Sequence, residues 1–157
     1  MENTNNQKYF YFAYGMNTNV AGMAARCPAA KSLGGAFLRN YQFRFAGPAD
    51  VVPTNNNYVD GVLWEITPEC LRSLDRLEGY PDFYDRKYVT VQSGGKNVKA
   101  LVYFMQPGNP DYPPTDRYFH MVEEGYREHG VPVDQLYDAL EVFEEDDDED
   151  YKTQPPF

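Results

Sequence analysis

GVLWEITPECLRSLDRLEGY, Gly61 to Tyr80, passes from a strand into a helix and stops, and its reading decides the fold. Tyr58 to Ile66 (YVDGVLWEI) reads as a strand with Val62 and Trp64 on one face, and Gly61 marks a bulge or a close approach of backbone. Thr67 then supplies a cap and Pro68 a pre-set first helical residue, while Gly79 and Pro81 end the element, so the helix runs Pro68 to Glu78. Leu71, Leu74 and Cys70 form its inward stripe. Glu78 follows Leu71 by seven residues and Leu74 by four, which at 3.6 residues per turn stacks a carboxylate on the apolar face. The carbonyl end of a helix disfavours negative charge and desolvation does the same, so this side chain should hold its proton to unusually high pH. Such a carboxyl suits proton exchange near neutrality. The competing structural reading has the helix fray and Glu78 cap against Arg86 or another base. Asp75, one residue past Leu74, should look sideways toward Arg72 or Arg76.

Outward from this stretch the chain is rich in short strands. Lys8 to Ala13 (KYFYFA) is a buried strand, and YGMNTNVAGMAARCP after it reads as a tight loop feeding a short helix capped by Thr18 or Asn19. A loop of this kind turns backbone N–H groups outward, which suits an anion. Ala36 to Phe45 is a second strand ended by Gly47-Pro48, and Lys87 to Gln92 with Val98 to Phe104 form a hairpin about Ser93-Gly94-Gly95-Lys96. Helices are expected from Asp116 to His129, with Tyr118, Val122, Gly125, Tyr126 and His129 on one face, and from Val133 to Leu140. Strands with so little helix between them pair antiparallel. The expected class is α+β, a mixed, mainly antiparallel curled sheet or small barrel with flanking helices, and a doubly wound sheet is disfavoured.

The 157 residues fit one domain, and an aromatic share of 16 % exceeds that of a disordered chain. Eight of the 24 acids lie in 141–157 with one base, leaving sixteen acids and thirteen bases before them, so the net charge of −10 is mostly local. We read residues 1–143 as the domain and 144–157 as an acidic, flexible tail. No basic patch argues for nucleic acid. No apolar run reaches bilayer length and MENTNNQ has no signal-peptide pattern, so a cytoplasmic protein without membrane attachment is expected. Cys27, Cys70, His120 and His129 make no metal-binding spacing, and neither thiol has a histidine arranged to activate it.

Taken in order, Tyr9 to Asn17 (YFYFAYGMN), Val59-Asp60-Gly61-Val62-Leu63-Trp64, Leu74-Asp75-Arg76-Leu77-Glu78-Gly79, Tyr84-Asp85-Arg86, Tyr103-Phe104-Met105 and His129-Gly130-Val131-Pro132 resemble the motif series of the gamma-glutamylcyclotransferase superfamily. Each motif is short, and the ordered set spans Tyr9 to about Tyr137. The resemblance implies a barrel-like mixed sheet and an intramolecular reaction on a small gamma-glutamyl compound. In it the α-amine attacks the side-chain carbonyl and releases 5-oxoproline and an amine or amino acid, without metal or organic cofactor. It implies Glu78 as the catalytic acid/base, Tyr14, Gly15, Met16 and Asn17 as the loop that grips the glutamyl part, and Tyr84, Tyr103 and Tyr118 as pocket tyrosines. Met16 departs from the family's usual Ser and cannot donate a hydrogen bond. A cyclotransferase for gamma-glutamylamines, a remover of the group from a biosynthetic intermediate and a non-catalytic binding module stay open.

Overall fold

The structure of the protein, a computed structural model, describes residues 8–153, with the backbone alone for 145–153. The strands are β1 (Tyr9–Ala13), β2 (Lys31–Phe45), β3 (Ala49–Ile66), β4 (Tyr84–Ser93) and β5 (Lys96–Met105). They close into a barrel in the order β1-β3-β2-β4-β5. Every pairing is antiparallel except β1 against β5, which meet parallel at Tyr11 and Leu101. The sheet is therefore mixed and mainly antiparallel, as the short strand spacing predicts. Helix α1 (Val20–Arg26) follows a 3-10 turn at Met16–Thr18, α2 (Pro68–Glu78) joins β3 to β4, and α3 (Asp116–Glu128) and α4 (Asp134–Thr153) follow β5. No described helix is long and apolar enough to cross a membrane.

Local chemistry accounts for the helix that matters most. The Thr67 side chain accepts from the Cys70 N–H, Pro68 occupies the first turn, and Gly79 ends α2 at φ 64°, a left-handed conformation that glycine adopts without a Cβ clash. Leu74 and Cys70 are buried beneath it. At Gly61 the expected close approach is present: a Cβ there would lie 2.7 Å from the Phe12 ring and against the Ala13 carbonyl. Asn19, one of the two expected caps, accepts from the Gly22 N–H at 3.1 Å. His129 ends α3, with Nδ1 at 2.9 Å from the Gly125 carbonyl.

Three boundaries differ most from expectation, the rest by three residues or fewer. Strands β2 and β3 begin at Lys31 and Ala49, well before Ala36 and Tyr58. Gly34-Gly35 and Asn55 to Asn57 look like turns, yet the ladder carries them as irregularities, with register shifts between Ser32 and Gly35 and between Arg39 and Tyr41. Asn40 and Asn56 take φ of 66° and 62°, and the Asn56 N–H donates to Asn40 Oδ1. The last helix continues past Leu140 to Thr153, so helical backbone enters the acidic stretch. The side chains of 145–153 and all of 154–157 lie outside the described residues, and with them most of the expected tail.

The core fills the barrel and the space under α2 and α3, with Phe12, Phe45, Leu63, Leu74, Leu101 and Tyr126 fully enclosed. One ion pair sits among them. Asp50, 2 % exposed, accepts from Arg44 Nε and from the Met105 N–H, both at 2.9 Å, and so ties β3 to β2 and β5. A buried carboxylate held by an arginine and a backbone donor is satisfied rather than reactive.

Candidate active site

The end of β1, the loop after it and the C-terminus of α2 open onto one cavity of about 290 Å³. All eight residues singled out from sequence line it: Glu78, Tyr14, Gly15, Met16, Asn17, Tyr84, Tyr103 and Tyr118. Glu78 reaches it because Leu74, four residues earlier, is anchored in the core. Its carboxylate makes no hydrogen bond or ion pair to a described residue. Burial pushes its pKa up to about 7, and the Arg26 guanidinium pulls in the opposite direction. The alternative partner is engaged elsewhere. Arg86 Nε lies 2.9 Å from Asp75, which also accepts from the Tyr103 hydroxyl at 2.6 Å. Asp75 therefore pairs across to β4, and not along its own helix with Arg72 or Arg76, because the barrel wall brings Arg86 beneath it.

The tyrosines divide by what their hydroxyls do. Tyr14 donates to the Tyr103 carbonyl and Tyr84 to the Ala49 carbonyl, each at 2.7 Å, and Tyr103 donates to Asp75. These three have spent their hydrogens on the frame. Tyr118 Oη accepts from the Ala49 N–H, and Tyr11 Oη accepts from Asn17 Nδ2, both at 3.0 Å. Each of these two keeps its own O–H to offer into the cavity. Burial and the Glu78 charge hold both phenols protonated, Tyr118 pushed up to about 12 and Tyr11 higher still. Tyr11 is absent from the sequence prediction. Its neighbours are aromatic on both sides, and only the return of Asn17 in the loop distinguishes it, which no periodicity shows.

The loop is held from behind. Thr18 and Asn19 are buried; Thr18 Oγ1 donates to the Gly15 carbonyl, and Asn19 Nδ2 donates to the Met121 carbonyl and Glu124 on α3. The 3-10 turn closes through Thr18 N–H to the Gly15 carbonyl and Asn19 N–H to the Met16 carbonyl. The N–H groups of Gly15, Met16 and Asn17 precede those bonds and have no carbonyl acceptor in the turn. Of these, the Met16 N–H lies against Tyr118 Oη.

Gly15 leaves little room. A Cβ at this position would lie 3.0 Å from Tyr118 Oη and 3.2 Å from Ala49 Cβ. Gly15→Val is therefore expected to lower kcat/KM by about 100-fold, equal to roughly 3 kcal/mol, by displacing Tyr118 and the loop together. Met16→Ser leaves the backbone path alone and should cost less than about tenfold. Steady-state kinetics on the two variants, side by side, measures the difference; equal losses would remove Gly15 from the site.

Other groups supply less. Cys27 and Cys70 are buried thiols, Cys27 Sγ facing the Cys70 carbonyl at 3.7 Å, and burial pushes Cys27 up to about 12, far from a thiolate. His120 is exposed on α3. No cluster of three or more His, Cys, Asp or Glu side chains suited to a metal occurs among the described residues. A groove of about 310 Å³ between β2 and α4 contains Arg44 and Asp111, already paired with each other at 2.9 Å.

The chain is similar to known proteins over most of its length. Residues 11–128 match the family model described as gamma-glutamyl cyclotransferase, AIG2-like. The gamma-glutamylcyclotransferase of Bos taurus is 28 % identical over 142 residues, covering 82 % of this chain and 75 % of that protein. That of Homo sapiens is 25 % identical over 158 residues, covering 90 % and 81 %. A solved structure titled gamma-glutamyl cyclotransferase superposes with a TM-score of 0.77 at 26 % identity, over 83 % of this chain and 86 % of that one.

Proposed function

This chain belongs to the gamma-glutamyl cyclotransferase, AIG2-like family, and from that premise we propose that it cyclises a gamma-glutamyl group to 5-oxoproline and frees the amine once bound to it. The observation that carries the reading is Glu78, an inward carboxyl with no hydrogen bond or ion pair to a described residue, lining the same cavity as the 14–17 loop. The loop takes the substrate's α-carboxylate, and the cavity holds the α-amine near the side-chain carbonyl. Glu78 accepts a proton from the ammonium. The amine nitrogen then bonds to the carbonyl carbon, whose oxygen gains charge that the Tyr11 or Tyr118 hydroxyl is placed to stabilise. Glu78 returns its proton to the amide nitrogen as the old C–N bond breaks, and the second proton left on the new ring nitrogen passes by way of the Glu78 carboxylate to the departing amine, which leaves as its ammonium. Proton count and charge balance without a cofactor.

The cavity mouth favours one subset of leaving groups. Its exposed lining is Leu77 and Phe83, 42 % and 40 % exposed, and no Lys, Arg or His lines it among the described residues. A leaving amine that carries a carboxylate finds no counter-charge there. This supports the gamma-glutamylamine reading over a gamma-glutamyl amino acid.

Release of 5-oxoproline from gamma-glutamyl-2-phenylethylamide and gamma-glutamylphenylalanine tests both points, because the pair differ by that carboxylate alone. We expect turnover of both, with kcat/KM about tenfold higher for the amide lacking the carboxylate, the effect of one unfavourable charge near an apolar rim. A preference for the amino acid would overturn the amine reading. Binding of both without any 5-oxoproline would favour the non-catalytic module instead.

A further inference from the structure

Arg26, the last residue of α1, attracts no notice in the sequence as one of 14 bases. In the structure its guanidinium turns back along its own helix toward the loop. Nη1 donates to Asn17 Oδ1 at 3.1 Å and Nη2 lies 3.4 Å from Met16 Sδ, so one planar fork engages two consecutive loop residues. Asn17 in turn donates to Tyr11 Oη, which extends the connection to a hydroxyl of the cavity. The space for this path is kept by Gly22, one turn before Arg26: a Cβ there would lie 2.9 Å from Nη1 and 3.8 Å from Cζ. A glycine inside a helix costs about 1 kcal/mol relative to alanine, and here that cost coincides with a cation laid over the bare backbone. Arg26 makes no ion pair with a carboxylate among the described residues, so surface charge pairing does not explain the arrangement.

We propose that Arg26 is a positioning residue of this site, its fork fixing Met16 and Asn17 so that the loop's N–H groups and Tyr11 meet the substrate across from Glu78. The proposal rests on the reading of Glu78 as the proton carrier in the cyclisation. Met16 acquires a purpose in the same stroke: the thioether that cannot donate accepts instead, and it takes one prong of the fork.

A second consequence is electrostatic. The groups that face Glu78 are Tyr11 from β1, Tyr14 from the loop, Tyr84 from β4 and Tyr118 from α3, all uncharged phenols, with the paired Asp50 of β3 behind them. Against these Arg26 is the cation that favours the ionised carboxyl. Removing it raises the pH at which Glu78 becomes a base.

Arg26→Lys keeps the charge and loses the fork, and Arg26→Met loses both, so kinetics across pH separates the two roles. For Arg26→Lys we expect KM to rise about tenfold with the acid limb of kcat/KM unmoved. For Arg26→Met we expect a similar rise in KM and an acid limb displaced upward by about half a pH unit or more, from the loss of one nearby charge in a partly wet cavity. Melting temperature is measured on both. A lower melting temperature with KM and the acid limb both unmoved would show an ordinary structural arginine and overturn the proposal. Parent protein that releases no 5-oxoproline would overturn the cyclisation reading and this proposal together, an outcome distinct from the first.

Discussion

Glu78→Gln should abolish turnover, lowering kcat by about 10³-fold or more, while ligand affinity stays within a few fold. The amide keeps the shape and the helix register of the carboxylate, yet it can neither accept the ammonium proton nor return one to the leaving nitrogen. Positioned proton transfer contributes about 10²- to 10⁴-fold in a single step, and here one group serves two steps. The same substitution carries a stability signature of definite sign. The Glu78 pKa is raised from 4.5 to about 7 on folding, so the folded state is penalised where the carboxyl must ionise: not below pH 4.5, and increasingly as pH rises to 7. Gln is free of that penalty. The variant should melt about 3 to 6 °C above the parent at pH 8.5, following from ~1–2 kcal/mol in a domain of this size, and level with it at pH 4. Turnover within tenfold of the parent would remove Glu78 from the mechanism; equal melting at both pH values would show that it is not held in a desolvated place.

The largest effect on stability is expected at Gly125, on the face of α3 that meets the start of α1. A Cβ there would sit 2.6 Å from both the Asn19 amide nitrogen and the Thr18 carbonyl carbon and would overlap Thr18 Oγ1. The obstacles are mostly backbone and cannot rotate aside, so α3 or the loop must move. Gly125→Ala should destabilise by about 3 kcal/mol, in the range for overpacked cores, despite the better helix propensity of alanine. Activity should fall further than the folded fraction, because Thr18 and Asn19 hold the loop of residues 14–17 and α3 also carries Tyr118. Chemical denaturation read beside kcat/KM separates the two losses. A variant as stable as the parent would mean that α3 does not rest on the loop as described.

Much of this site could be read from residues 61 to 80, where the periodicity of α2 is strong and its caps are standard, so the inward register of Glu78 follows from counting. The hairpin of β4 and β5 and the loop after β1 were equally legible, since glycine and asparagine at turns have few other uses. The full lengths of β2 and β3 were not, because Gly34 and Asn55 to Asn57 lie in irregularities of the ladder and Gly35 and Pro53 pair within it, and a one-dimensional pattern does not separate a bulge from a turn. Phe119 was missed on α3 because the buried face there is wider than the stripe drawn through Tyr118, Val122 and Gly125. Side-chain partners on different elements were also beyond reach. Asp75 to Arg86, Asn17 to Tyr11 and Arg26 to Met16 depend on how elements are brought together, and residue type alone assigns none of them.

The parallel meeting of β1 with β5 imposes an order of assembly during synthesis. Strand β1 leaves the ribosome first, yet its Tyr11 waits for Leu101, ninety residues later, before the barrel can close. Until then β1 can pair with β3, but its other edge stands open and is a template for strands of other chains. The cavity needs still more of the chain, since Tyr118 comes after β5. Catalytic competence therefore arrives late and all at once, and a chain truncated before α3 would present an aggregation-prone sheet in place of a weakened enzyme.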